Sequence, residues 1–171
     1  AWLGDRHGCP AAMITASHNP WHDNGVKIFG AGGVKLTDEV ERAIEAAIDL
    51  SVPVPLDAAP GEPLDERDRY VLHLVDAHGS LRGLQVVLDC ANGAMSEVAP
   101  AVFLALGADV VVVHAAPDGR NINDHCGATH TESLAQAVVA HGAAMGLAFD
   151  GDGDRVIAVD RPGHGWSDRP G

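Results

Sequence analysis

At 171 residues, 46% hydrophobic and 4% aromatic, the chain is long enough for one ordinary domain or two small ones around a real core. Its formal charge of −13 argues against nucleic acid and against an anionic membrane surface as partners, and no run of about 18 apolar residues exists to span a membrane. The three cysteines, Cys9, Cys90 and Cys126, are far apart with no CxxC pair, and no signal peptide precedes them, which predicts reduced thiols in a cytosolic protein.

Residues 1–10 carry no clear pattern. Residues 11–15 are a short apolar run, read as a buried strand, which enters the polar turn Thr15-Ala16-Ser17-His18-Asn19-Pro20. Asn19 before Pro20 is disfavoured in helix and supports a loop. A second turn, Trp21 to Gly25, leads to a strand over 26–29, and Gly30-Ala31-Gly32-Gly33 breaks the chain. Thr37 is a candidate N-cap for a helix, with Asp38, Glu39 and Glu41 near its positive end and Val40, Ala43, Ile44, Ala47 and Ile48 at helical spacing. Residues 51–63 contain four prolines and read as a linker. This predicts two domains, 1–58 and 59–171, the first incomplete because Ala1 opens in the middle of ordinary domain sequence.

Beyond the linker, residues 64–78 read as a helix. From Leu84 the chain alternates regularly: strand 84–89, helix 96–106, strand 109–114, polar loop 115–130, helix 131–141, strands 145–149 and 156–159. Gly107 and Gly142 suit the position just past a helix end. Continuous apolar strands alternating with helices predict layered α/β/α domains with mixed, largely parallel sheets. Cys90, at the end of a core strand, reads as a small buried hydrophobe. Residues 161–171 have no periodicity and read as a fraying tail.

The strand at 145–149 runs into Asp150-Gly151-Asp152-Gly153-Asp154-Arg155. Alternate residues of an extended segment share a face, so the three carboxylates can point together, with glycines that let the backbone turn closely. Such an oxygen cluster suits a hard divalent cation, Mg²⁺ or Ca²⁺; the plain alternative is an acidic turn in water. An EF-hand is excluded, because Arg155 and Arg161 stand where glycine and a bidentate glutamate are required. In parallel α/β sheets ligands collect beyond the carboxyl ends of strands, where this loop lies. A second polar group, Ser17, His18, Asn19, Asp23, Asn24 and Lys27, offers a hydroxyl that a divalent ion would bridge to the aspartates once it is phosphorylated. His125, Cys126 and His130 lack a fourth ligand at zinc-motif spacing.

Together, Thr15-Ala-Ser17-His-Asn-Pro, Asp23-Asn-Gly-Val-Lys27 and Asp150-Gly-Asp-Gly-Asp-Arg155 resemble the α-D-phosphohexomutase superfamily. Lys27-Ile-Phe29, Gly33-Val-Lys35-Leu36, Asp89-Cys-Ala-Asn-Gly-Ala94 and Asn121-Ile-Asn123 with Cys126-Gly-Ala-Thr-His130 resemble its phosphoglucosamine mutase branch. The resemblance covers about residues 11–160. It implies that Ser17 is the phosphoserine and fourth metal ligand, and that Asp150, Asp152 and Asp154 hold Mg²⁺. It further implies that Arg155 and Asn24 serve the phosphoryl site and that Lys27, with His18, handles protons. The implied substrates are hexose or hexosamine phosphates, with a hexosamine bisphosphate as intermediate. The family is a four-domain chain, so the sugar-recognition and phosphate-clamping loops of its third and fourth domains have no counterpart here. The expectation is a weak Mg²⁺ site and little mutase activity in this chain alone.

Overall fold

The computed structural model describes residues 1–48, 61–161 and 165–166. Residues 51–60 of the expected linker lie outside them; Gly61, Glu62 and Pro63 are exposed and irregular. Contacts divide the chain into two units, Ala1–Met13 with Val26–Glu66, and Ile14–Gly25 with Arg67–Gly171. The segment 14–25, which carries Ser17, thus packs with the second unit rather than with its sequence neighbours.

In the first unit, α1 (Trp2–His7) was not legible in the sequence: its N-cap is Ala1 with no side-chain cap, and it ends at Gly8 in the left-handed region at φ 60. The strands run in the order β1 (Ala11–Thr15), β2 (Gly25–Gly30), β3 (Val34–Lys35). The pair β2–β3 is an antiparallel hairpin with Phe29 opposite Lys35. Helix α2 (Asp38–Ala47) starts as expected, with Thr37 Oγ1 accepting the Val40 N–H at 3.4 Å. Glu66 is buried and takes Arg6 Nε at 3.2 Å.

The second unit is a sheet in the order β5-β4-β6-β7-β8, from α3 (Arg67–Asp76), β4 (Gln85–Asp89), α4 (Met95–Ala105), β5 (Asp109–Val113), α5 (Glu132–His141), β6 (Met145–Phe149), β7 (Val156–Asp160) and β8 (Gly165–Trp166). Strands β5, β4 and β6 are parallel, and β7 and β8 add antiparallel. Helices cover both faces, which is why β4 is apolar at every core position. Val87 packs with Leu134 and Val138 of α5, and Val86 and Leu88 pack with Ala99 of α4. A Cβ on Gly146 would lie 2.6 Å from Val138 Cγ2, so this glycine lets α5 close onto β6.

Two boundaries differ from the sequence reading. Helix α3 begins at Arg67, whose guanidinium pairs with Glu97 of α4. Within the expected frayed tail, Gly165 and Trp166 pair with Val159 and Ala158; residues 162–164 and 167–171 lie outside the described residues. From β4 the chain steps to β5 on one side and then crosses back to β6 on the other, so the switch point lies at the carboxyl ends of β4 and β6, where such sheets bind ligands. The loop 150–155 leaves β6 at that point.

Leu134 is fully buried between α5 and the sheet, whereas Val139 on the same helix is 59% exposed. Leu134→Ala is expected to lower the unfolding free energy by about 2–5 kcal/mol and Val139→Ala by less than about 0.5 kcal/mol, read from urea melts.

Candidate functional site

Asp150 is fully buried at the end of β6. Its Oδ1 accepts the Arg155 N–H at 3.1 Å, and its main-chain oxygen accepts the Gly153 N–H at 3.1 Å, which closes the loop. Its Oδ2 is buried with no hydrogen-bond partner. One carboxylate oxygen each from Asp150, Asp152 and Asp154 lie within 4.8 Å of one another. Burial pushes the Asp150 carboxyl up from its ordinary range, opposed by the Arg155 N–H and reinforced by the neighbouring Asp152 and Asp154. A buried oxygen without a donor, turned into a group of like charges, fits a hard divalent cation.

Ser17 sits at φ 52, in the left-handed region that a non-glycine residue occupies at a cost of about 1–2 kcal/mol. Its N–H donates to Thr15 Oγ1 at 2.7 Å, and Thr15 Oγ1 donates in turn to Asp152 Oδ2 at 2.9 Å. The Asn123 side-chain amide donates to the carbonyls of Ser17 and Asn19, both at 2.8 Å. Ser17 O lies so close to the acidic loop that a Cβ on Gly151 would be 2.5 Å from it. Glycine is required there by approach of another backbone. The serine turn and the acidic loop are therefore one packed assembly within the second unit.

His18 Nδ1 accepts from the Arg155 guanidinium at 3.2 Å, and Arg155 Nε lies 3.9 Å from Asp154. With Nδ1 accepting, the proton of a neutral His18 ring is on Nε2. A cavity of about 430 Å³ opens beside His18, lined by Trp21, Arg120, Asn123 and His130 among others, with the Arg120 guanidinium 5.5 Å from the Trp21 ring centroid. Asn24 follows the 3-10 turn Trp21–Asp23 and is exposed in extended conformation. Lys27 is half-buried on β2, in the other unit. The structure thus brings Ser17, His18, Asp150, Asp152, Asp154, Arg155 and Asn24 into one unit and sets Lys27 in the first.

Beneath the site, Asp89 at the end of β4 is fully buried. Its Oδ1 accepts the Ala91 N–H at 2.9 Å, and its Oδ2 accepts the Gly127 N–H at 3.0 Å and lies 3.1 Å from His114 Nδ1. His114, just past the end of β5, lies against this carboxylate. Cys126 completes the group, its ligand atom within 4.8 Å of those of Asp89 and His114. Burial pushes the Cys126 thiol up to about 12, with Asp89 and Asp124 adding to the rise and the Asn92 amide opposing it; the Cys90 thiol rises to about 12 by burial and then Asp89. Both oxygens of Asp89 are occupied by backbone donors and both thiols stay protonated, so the group ties the ends of β4 and β5 to loop 121–130. The His125 and His130 rings lie 5.6 Å apart, tilted by 57°, and Cys126 groups with Asp89. Thr15, Asn123 and Asp89 entered the sequence reading only as members of motifs, with no role at the site assigned to them. Bonds between residues as far apart as 15 and 152 leave no local signal.

This is a layered α/β unit with its polar residues gathered at the switch point of a parallel sheet. The chain belongs to the phosphoglucomutase/phosphomannomutase family, a family of enzymes: the model of its alpha/beta/alpha domain II matches residues 68–163, and that of domain I matches residues 2–51. It is 53% identical over 171 residues to a phosphoglucosamine mutase of Moorella thermoacetica, covering 95% of this chain and 38% of that protein. A phosphoglucosamine mutase of Rhodococcus jostii is 56% identical over 157 residues, covering 88% and 35%. Among solved structures, a phosphoglucomutase/phosphomannomutase family protein of Burkholderia thailandensis superimposes with TM-score 0.72 at 29% identity, covering 91% of this chain and 34% of that one. The chain thus spans little more than a third of the length of these relatives. No helix among the described residues is long and apolar enough to cross a membrane.

A carboxyl raised in the folded chain favours folding while protonated, and that contribution is lost as pH rises through its folded value. In the presence of EDTA, Asp150→Asn is therefore expected to melt above the wild type at pH 7.5, with the gap closing as pH falls towards 4. A gap independent of pH would show that the Asp150 charge is not strained.

Proposed function

We propose that this chain is the part of a phosphoglucosamine mutase that stores the phosphoryl group, with residues 1–58 contributing to its first domain and 59–171 forming its second. The reaction is the interconversion of glucosamine 6-phosphate and glucosamine 1-phosphate. The observation that carries this reading is the bracing of the Ser17 turn against the acidic loop, through Thr15 to Asp152 and through Asn123 to the Ser17 carbonyl. The branch is supported by the relatives at 53% and 56% identity.

In this account Asp150, Asp152 and Asp154 hold Mg²⁺, and Ser17 completes its ligands when phosphorylated. The ion, when bound, draws charge from the phosphoryl oxygens as the group transfers. Ser17 Oγ forms a bond to the phosphorus of a hexosamine 1,6-bisphosphate, the bond from that phosphorus to the sugar oxygen breaks, and the serine proton passes to the departing sugar oxygen. That step is preceded by its reverse at the other position of a monophosphate: the free sugar hydroxyl bonds to the phosphorus of phosphorylated Ser17, the bond from that phosphorus to Ser17 Oγ breaks, and the hydroxyl proton passes to Oγ, which gives the bisphosphate that then turns and donates its other phosphate to Ser17. Arg155 places a planar guanidinium beside the phosphoryl group, and Asn24 offers a side-chain amide from the turn that follows Pro20. His18 presents Nε2–H for the proton relay, since its Nδ1 is taken by Arg155. Lys27 is the second acid/base group. The cavity beside His18 gives the sugar room at the same face. The protein works in the cytoplasm, where its sugar phosphates are found.

Incubation with Mg²⁺ and glucosamine 1,6-bisphosphate is expected to add one phosphate to the intact mass, mapping to Ser17 and absent in Ser17→Ala. An adduct that persists in Ser17→Ala would refute the assignment. Preference for glucose 1,6-bisphosphate would move the chain to a phosphoglucomutase. Asp152→Asn is expected to weaken Mg²⁺ binding at least about 10-fold, roughly 1.4 kcal/mol, by calorimetry.

A further inference from the structure

The serine turn is held at three main-chain points, two on Ser17 and one on Asn19, by two side chains. Thr15 lies two residues before Ser17 at the end of β1, and its single hydroxyl faces both ways. The oxygen accepts the Ser17 N–H at 2.7 Å, which leaves the hydroxyl proton for Asp152 Oδ2 at 2.9 Å. The Asn123 side chain, 8% exposed, uses one amide nitrogen to reach the carbonyls of both Ser17 and Asn19 at 2.8 Å. Its own N–H donates to Ala91 O at 2.9 Å, beyond the end of β4, so the clamp is anchored to the sheet. The residues so gripped include one at φ 52 and the gripping residue itself stands at φ 57, both in the left-handed region that surrounding structure must hold in place.

We propose that Thr15 and Asn123 are positioning residues for Ser17, and that the Thr15 hydroxyl is the link through which Ser17 and Asp152 hold each other in place. This rests on the reading of Ser17 as phosphoryl acceptor. Without the hydroxyl, the Ser17 N–H loses its acceptor and Asp152 loses a donor that fixes its rotamer. The serine then samples other backbone conformations and meets the phosphorus less often in line. Because the link is shared, what binds at Asp152 and what is attached at Ser17 change each other's affinity by the same factor. Asn123 packs beside Gly151 but hydrogen-bonds only the serine side, to Ser17 and Asn19, and touches no aspartate of the loop through a hydrogen bond, so its loss acts chiefly on phosphoryl acceptance and leaves cation affinity within about 3-fold.

The test compares Thr15→Val, which keeps the shape and removes the hydroxyl, with Thr15→Ser, which keeps the hydroxyl, and with Asn123→Ala. Three quantities are read: exchange of the Ser17 amide hydrogen in the metal-free chain by NMR, the rate of phosphate addition from glucosamine 1,6-bisphosphate by intact mass, and Mg²⁺ affinity by calorimetry. In Thr15→Val, Ser17 amide exchange is expected to quicken about 10-fold and phosphate addition to slow about 10-fold, with a smaller loss of Mg²⁺ affinity. Thr15→Ser is expected to stay within about 3-fold of wild type in all three. In Asn123→Ala phosphate addition slows by a similar factor while Mg²⁺ affinity stays within about 3-fold. Wild-type amide exchange and wild-type phosphate addition in Thr15→Val would overturn the proposal, as would a Thr15→Ser variant as impaired as Thr15→Val. Failure of the underlying reading looks different: Ser17→Ala would still take phosphate, or the wild type would take none, and the amide exchange would then decide the clamp by itself.

Discussion

Like-charge repulsion at the end of β6 is the constraint around which the second unit is arranged. Asp150 is fully buried with one oxygen lacking a donor, and two further carboxylates lie within 4.8 Å of it. Burying an ionised carboxylate is unfavourable unless opposing charge or donors accompany it. The chain supplies one donor, the Arg155 N–H, and the other oxygen is buried without one, next to oxygens of Asp152 and Asp154. Everything else nearby fixes geometry. Gly151 admits the Ser17 backbone, and Ala94 N–H holds the Gly151 carbonyl at 2.9 Å.

A second layer of order lies beneath. The Asp89 carboxylate gathers the ends of β4 and β5 and loop 121–130 into one hydrogen-bonded group. That loop carries Asn123, which grips the serine turn. Non-glycine residues with positive φ collect here, Ser17, Ala91, Asn92, His114, Asn123 and His125. Residues in that region persist where the surroundings over-determine them, and they gather at functional sites. Preorganisation of this kind serves phosphoryl transfer, where positioning and electrostatics supply most of the rate.

Strand β4 was legible because burial on both faces makes residues 86–88 a continuous apolar run, and β5 was legible from its run of valines 110–113, although this strand lies at the sheet edge. The acidic loop and the serine turn were legible as motifs. What escaped the sequence has physical reasons. Helix α1 is six residues long without a side-chain cap, β3 and β8 have two residues each, and such short elements form only where partners hold them. Thr15 looked like the last residue of a strand, and its bond to Asp152 spans 137 positions. Asn123 looked like a loop residue, and its bonds to the serine turn span more than a hundred. The allegiance of residues 14–25 to the second unit was equally hidden, since sequence order places them in the first.

Contact between the cation of the acidic loop and the group on Ser17 is most directly observed with Mn²⁺ in place of Mg²⁺. In the phosphorylated chain, substoichiometric Mn²⁺ is predicted to broaden the phosphoserine ³¹P resonance beyond detection, and excess Mg²⁺ is predicted to restore it. A resonance that stays narrow while Mn²⁺ is bound to the acidic loop would contradict the account.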